Sequence, residues 1–303
     1  MSHSLPAPGK LIIFGCGYLG RALAVRAREL GLTVTVVTRN PGTAADLRKL
    51  DVSVVEGRLQ DDSWHGDVPA SPEYVVNCVG SADRTDEGYR QSYLEGMASI
   101  LEWAKGGAPG VFVYTSSTGV YGRADGMVDE ATVPEPDSER SRILFQTEEL
   151  ARESSAFDRW FILRLAGLYG PERHQLLDRV LAGQTIGADE PDRPLNIIHR
   201  DDAVEAILAC LGAPAAIPSQ VFNLSGGEPV SRREMMEWIE KRCRELGLKV
   251  DLSVHVSEPR PSRVREIPDR IVSARRIGEV AGWRPRYPDF RSGYEAILGR
   301  GFP

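Results

Sequence analysis

The sequence predicts an α/β protein: a doubly wound parallel sheet covered on both faces by helices, with a smaller, partly interleaved C-terminal domain. Three observations carry this reading. Short apolar runs alternate with helix-length amphipathic segments through the first 165 residues, which is the rhythm of repeated βαβ units. The apolar runs are continuous rather than alternating, as strands buried on both faces require. A glycine-rich turn separates the first apolar run from the first helical segment. The chain has 303 residues, of which 42% are hydrophobic, ample for a core and consistent with two domains.

Residues 11–14 form the expected first strand and 18–30 the first helix, with Gly31 placed to end it at C′. Residues 34–37 are the second strand. Asn40 and Pro41 then supply an N-cap and a first-turn proline for a helix over 41–50. Strands follow at 52–55, 74–79, 111–114 and 161–165, with helices at 89–104 and 138–154 between them. These elements assign residues 1–170 to the sheet domain. Beyond residue 170 the rhythm loosens and prolines become frequent. Helices are expected near 201–211 and 231–246, and short strands near 196–198, 221–224 and 252–256. Residues 171–303 are therefore mainly a substrate-side domain, with about 196–224 returning to the sheet. The Arg-rich stretch 260–276 reads either as a solvated loop or as an anion-binding wall.

Composition narrows the function classes. Lys and Arg total 37 against 43 Asp and Glu, a net charge of −6, which argues against bulk nucleic-acid binding. No apolar run approaches the roughly 18–20 residues that span a bilayer, so no membrane partner is expected. Met1–Lys10 lacks the apolar region of a secretory leader. Cys16, Cys78, Cys210 and Cys243 are far apart, and the five His residues show no ligand spacing. Neither a disulfide framework nor a metal site is expected, and a reducing cytoplasm is the natural setting.

Gly15-Cys16-Gly17-Tyr18-Leu19-Gly20 is a GxGxxG turn after a strand and at the opening of a helix. Its glycines permit a tight turn, close backbone approach to a pyrophosphate and close helix–strand packing. The helix N-terminus adds free N–H groups and the positive end of a dipole. Gly15, Gly17, Tyr18, Leu19 and Gly20 are thus candidate cofactor-binding residues on a Rossmann sheet. Val79 and Gly80, at the end of the fourth strand, join them. The second strand ends in Thr38-Arg39-Asn40, where an NAD-selective chain usually carries a carboxylate. A guanidinium there can pair with a 2′-phosphate. Arg39 and Asn40 therefore favour NADP(H), with NAD(H) as the alternative.

Tyr114-Thr115-Ser116-Ser117-Thr118-Gly119-Val120-Tyr121-Gly122 resembles a segment of the extended short-chain dehydrogenase/reductase family, the nucleotide-sugar epimerase/dehydratase group. Arg164-Leu165-Ala166-Gly167-Leu168-Tyr169-Gly170-Pro171, Ile198-His199-Arg200-Asp201-Asp202, Val221-Phe222-Asn223-Leu224 and Gly282-Trp283-Arg284-Pro285 extend the resemblance over nearly the whole chain. It implies that Ser117 is catalytic, binding the reacting oxygen of a small-molecule substrate. It also implies a homodimer through the helices near 89–104 and 138–154, with Ile143, Leu144 and Leu150 as apolar contacts.

The family's Tyr-x-x-x-Lys pair is missing. Its spacing places Tyr at Ser141 and Lys at Phe145, and no Lys occurs between residues 106 and 240. A serine hydroxyl is too weak an acid to replace a phenol without a strong partner. Arg140 and Arg142 flank the position and are suited to an anionic substrate. His174 is a conceivable general acid or a surface residue, whereas His199 reads as support for the turn before Asp201-Asp202. The chain resembles the atypical, YeeZ-like branch of the family, which lacks the usual active-site residues. The resemblance implies an NADP(H)-dependent oxidoreductase or epimerase acting on a sugar or nucleotide-sugar. The alternative is a non-catalytic NADP(H)-binding regulator.

Overall fold

Strand β1 (Lys10–Phe14) enters the glycine-rich turn and α1 (Tyr18–Glu29) leaves it. The chain continues through β2 (Thr33–Thr38), α2 (Pro41–Arg48), β3 (Ser53–Glu56) and β4 (Tyr74–Asn77). Helix α3 (Asp86–Tyr89) runs through a π-helical stretch (Arg90–Glu95) into α4 (Gly96–Lys105). Next come β5 (Val111–Ser117), β6 (Gly126–Val128), α5 (Glu139–Glu153) and β7 (Arg159–Leu165). They are followed by β8 (Gly167–Tyr169), α6 (Gln175–Leu181), β9 (Pro194–Leu195), β10 (Ile197–His199), α7 (Arg200–Leu211) and β11 (Gln220–Leu224). The last elements are β12 (Val230–Ser231), α8 (Arg232–Glu245), β13 (Arg270–Val272), α9 (Arg275–Val280) and α10 (Phe290–Leu298). This computed structural model describes residues 3–81, 83, 85–184, 192–227, 229–249 and 268–299. The strand expected at 252–256 and most of the Arg-rich stretch lie outside them.

Seven strands form one parallel sheet in the order β11-β7-β5-β4-β1-β2-β3. The direction of progression reverses between β1 and β4, and ligands bind such sheets in the crevice beyond the strand C-termini at that switch point. One face of the sheet packs Leu11, Ile13 and Val36 against Leu23 and Ala27 of α1 and Val204, Ile207 and Leu208 of α7. The other face packs Ile12, Phe14 and Phe112 with Trp64, Met97, Ile100 and Trp103. Phe14 meets Trp64 and Trp103 edge-on at 5.0 and 5.4 Å between ring centroids. A third core joins α6, α8 and α10 through Leu177, Met235, Ile239, Phe290 and Tyr294.

Local sequence explains the helix starts. Asn40, Ser138, Ser231 and Asp289 each cap a helix with a side-chain oxygen. The helix expected at 89–104 begins earlier, at Asp86, capped by Thr85, and carries the π-helical turn. The fourth strand ends at Asn77, short of the expected Val79. Ile143 and Leu144, expected on a dimer face, are buried instead. Leu144 packs against Val120, Tyr121 and Val128. Among the described residues no helix is long and apolar enough to cross a membrane, and no cluster of His, Cys, Asp or Glu could hold a metal ion. All four cysteines are free and buried.

Candidate active site

The turn between β1 and α1 is built from glycines with different tasks. Gly15 has φ +83, and a Cβ there would lie 2.7 Å from the Val79 Cα. Its N–H donates to the Val37 carbonyl at 3.0 Å. A Cβ on Gly20 would collide with the Gly15 carbonyl oxygen. Those two glycines are required by the chain's own backbone. Gly17 is different: a Cβ there would meet nothing within 4 Å. Gly17 is also the N-cap of α1, which has neither a side-chain cap nor an acidic first turn. The leading N–H groups of a helix have no intrahelical acceptors. Open space over Gly17 and an uncapped N-terminus together fit a pyrophosphate, which makes the turn a candidate dinucleotide cradle.

The neighbouring candidates are distributed around this cradle. Leu19, in the first turn of α1, is buried. The Tyr18 ring has the Arg173 and Arg200 guanidinium carbons 5.6 and 5.1 Å from its centroid. Burial pushes the Tyr18 phenol up to about 12. Its hydroxyl abuts Gly170, where a Cβ would lie 2.7 Å away, so the Tyr-Gly-Pro turn rests directly on the glycine-rich turn. The Val79 N–H donates to Asn77 Oδ1 at 3.1 Å, and Gly80 is exposed with open space where a Cβ would be. A cavity of about 750 Å³ opens beside Gly17 and Tyr18, bounded by Arg21, Arg200, Asp201 and Arg286.

Arg39 is exposed at the end of β2. The Thr85 hydroxyl and N–H, and then the Arg39 charge, hold the Asp83 carboxyl below its ordinary range. Asn40 spends its side-chain oxygen on the Thr43 N–H at 3.1 Å, capping α2. That oxygen is therefore engaged within the chain.

Ser117 is the last residue of β5, at the C-terminal edge of the sheet. Its Oγ accepts the Gly119 N–H at 3.1 Å and caps the 3-10 turn Thr118–Tyr121. One hydroxyl proton remains for donation. Behind it runs a buried polar network. Ser116 Oγ donates to Glu148 Oε1 at 2.6 Å, and Arg164 Nη2 donates to Glu148 Oε2 at 2.7 Å. The Glu148 and Arg164 side chains are 0% and 3% exposed. Arg164 also lies over the Tyr121 ring at 4.9 Å. The Tyr121 hydroxyl is 2.8 Å from Asn223 Oδ1, and the Asn223 N–H donates to Glu130 Oε1 at 2.7 Å.

The positions of the missing pair are closed. Ser141 is buried in a capping box with Ser138 at the start of α5. Phe145 packs on the apolar cluster of Val120, Tyr121, Val128 and Leu144. Arg140, beside it, donates to Asp86 Oδ1 at 3.1 Å and lies 5.2 Å from the Tyr89 ring centroid. His174 Nδ1 is 2.8 Å from Asp178 Oδ1, a contact one turn along its own helix. His199 Nδ1 accepts the Asp201 N–H at 3.2 Å, which makes it the N-cap of α7. Asp201 and Asp202 therefore occupy the first turn rather than the cap.

Two residues beside the crevice escape sequence reasoning. Tyr93 lies in the π-helical stretch and packs on the same cluster as Phe145. Burial pushes that phenol up to about 12. Its placement depends on the extra residue of a π turn, which hydrophobic period does not reveal. The other is Arg58, exposed just beyond β3. The only sequence signal for it is a basic residue after the third strand.

Residues 11–225 match the family model described as the NAD dependent epimerase/dehydratase family. The chain belongs to that family. Protein YeeZ of Escherichia coli K12 is 29% identical over 290 residues, covering 92% of this chain and 97% of YeeZ. Among solved structures, UDP-glucose 4-epimerase of Thermotoga maritima, held with UDP-glucose, aligns with a TM-score of 0.74 at 18% identity, covering 96% of this chain and 99% of its own. The Bordetella bronchiseptica enzyme WbmG, in complex with NAD, aligns with a TM-score of 0.75 at 18% identity, covering 97% and 94%. Those two likenesses establish the shared fold. The epimerase/dehydratase match ends at residue 225, just after β11 closes the sheet.

Proposed function

We propose that this chain is an NADP(H)-dependent oxidoreductase or epimerase acting on a sugar or nucleotide-sugar. The observation that carries it is Gly17: space left open above an uncapped helix N-terminus, beside a strand end that bears Arg39 and no carboxylate. The N–H groups opening α1 would hold the pyrophosphate, and Arg39 the 2′-phosphate. A bound nicotinamide supplies hydride transfer. Ser117, one of its two lone pairs taken by the Gly119 N–H, offers its proton to the reacting oxygen of the substrate and so orients it. The proton consumed in turnover comes from outside α5 or through water, because Ser141 and Phe145 cannot deliver it. Residues beyond 170 wall the substrate side of the crevice, and free buried thiols suit a reducing cytoplasm.

The other reading, a non-catalytic NADP(H)-binding regulator, is favoured by the closed state of the α5 positions, with Ser141 in its capping box and Phe145 in apolar packing. The deciding experiment titrates NADPH and NADH by fluorescence, then follows NADPH oxidation and NADP reduction across UDP-sugars, their 4-keto derivatives and simple aldoses. Tighter NADPH binding is expected, with turnover that drops by roughly a hundredfold or more in Ser117→Ala while the cofactor Kd stays within about twofold. NADPH binding with no turnover across the set supports the regulator.

A further inference from the structure

Arg58 stands out among the cations near the crevice. It sits two residues past the last paired position of β3, where Glu56 lies opposite Thr38 of β2. The Gly57 N–H donates to the Thr38 carbonyl at 3.1 Å, which carries the pairing one residue further. Arg39 and Arg58 therefore leave adjacent strand ends, one residue out of step. Both are exposed. Two carboxylates close to Arg58 in sequence, Glu56 and Asp61, are engaged with other partners. Glu56 accepts from Arg48 Nη2 at 2.8 Å, across to α2. Asp61 Oδ1 takes the Ser63 hydroxyl at 2.6 Å and its N–H at 3.3 Å. Arg58 makes no ion pair among the described residues.

The root of Arg58 is firm. A Cβ on Gly57 would lie 3.1 Å from the Trp64 Cβ, and Trp64 is buried against Phe14 and Trp103. The Arg58 carbonyl accepts the Asp61 N–H at 3.3 Å, closing a turn behind it. A long cation on a fixed stem, without a carboxylate partner, beside a strand end that already carries a second guanidinium is an arrangement that like-charge repulsion opposes. A phosphomonoester carries a charge of about −1.5 to −2 at neutral pH. A single guanidinium leaves part of that charge unneutralised, and Arg39 is also drawn toward Asp83.

We propose that Arg39 and Arg58 together form the 2′-phosphate site of the adenosine half, with Arg58 as a second specificity-determining residue. This rests on the NADP(H) reading above and extends it. The site takes a 2′-phosphorylated adenosine nucleotide irrespective of the nicotinamide, so 2′,5′-ADP alone should occupy it.

Isothermal titration of the full chain with NADPH, NADH, 2′,5′-ADP and 5′-AMP tests this, in wild type, Arg39→Ala and Arg58→Ala. Loss of one charge-assisted contact should weaken NADPH and 2′,5′-ADP by roughly tenfold or more in Arg58→Ala. NADH affinity, which also reports an intact fold, should stay within about twofold. If wild type prefers NADPH and Arg39→Ala abolishes the preference while Arg58→Ala leaves it whole, Arg58 has no part in the site. If wild type binds NADPH and NADH equally, the NADP(H) reading fails and the paired site falls with it.

Discussion

Gly17 and Gly20 share one turn, yet only Gly20 is demanded by the protein's own packing. A methyl group on Gly20 meets the Gly15 carbonyl, so Gly20→Ala should destabilise the fold by about 1–3 kcal/mol in urea unfolding. A side chain on Gly17 meets nothing in the chain. Gly17→Val should therefore keep a near-native urea midpoint while weakening NADPH binding by roughly tenfold or more. Unchanged affinity in a folded Gly17→Val protein would move the pyrophosphate elsewhere. Both glycines were readable as one motif because strand, turn and helix follow one another within a few residues. Their separate duties were not readable, since they depend on what lies across the turn in space. The same limit applies to Arg58 and Tyr93. Arg58 matters through the alignment of β3 with β2, and Tyr93 through the π turn, and neither leaves a periodic trace in the sequence.

Helix α5 is attached to strand β7 by an ion pair that no water reaches. Glu148 accepts from Arg164 and from Ser116 while fully buried, so all its strong acceptor positions face donors. Removing one partner of such a pair leaves a buried charge without compensation, at a cost of about 3–5 kcal/mol. Arg164→Met should show that loss in denaturant unfolding, and adding Glu148→Leu to it should recover a large part. Equal stability of the single and double variants would mean that the buried carboxylate is tolerated alone. The extent of α5 was legible from its apolar period, since the expected 138–154 became Glu139–Glu153. Its inward charge was not, because a Glu and an Arg 16 residues apart read as solvated surface until the fold brings them together. Strands β6 and β13 were illegible for a related reason. They are three residues each and pair Gly126 with Arg270, far too short and too distant for any local pattern.

At the scale of the whole molecule, Asp202 ties the C-terminal stretch to α7. Its two oxygens accept the Arg286 N–H at 2.6 Å and the Tyr287 N–H at 3.1 Å, and its carbonyl accepts from Trp283 Nε1 at 3.2 Å. Burial pushes this carboxyl up to about 6, against the pull of the two N–H donors. An unfolded Asp titrates near 3.9. Between those values the native chain holds a proton that the unfolded chain has released. Asp202's contribution to stability is therefore largest below that window and is lost as pH rises through about 6. Asp202→Asn should lower the stability at pH 4.5 relative to that at pH 7 by about 1–2 kcal/mol compared with wild type, measured by urea unfolding at both pH values. A pH profile identical to wild type would mean that Asp202 titrates as it does when unfolded. The return of β11 to the sheet has a consequence for biosynthesis. When the ribosome has delivered residue 165, β7 can pair with β5, but its outer edge has no neighbour until residues 220–224 emerge. At roughly 5–20 residues per second that delay lasts several seconds. For that interval the nascent chain presents a seven-residue strand, Arg-Trp-Phe-Ile-Leu-Arg-Leu, with a bare row of amides and carbonyls. A chaperone waiting at the exit tunnel would find its binding segment there, and a chain released early would carry that edge permanently.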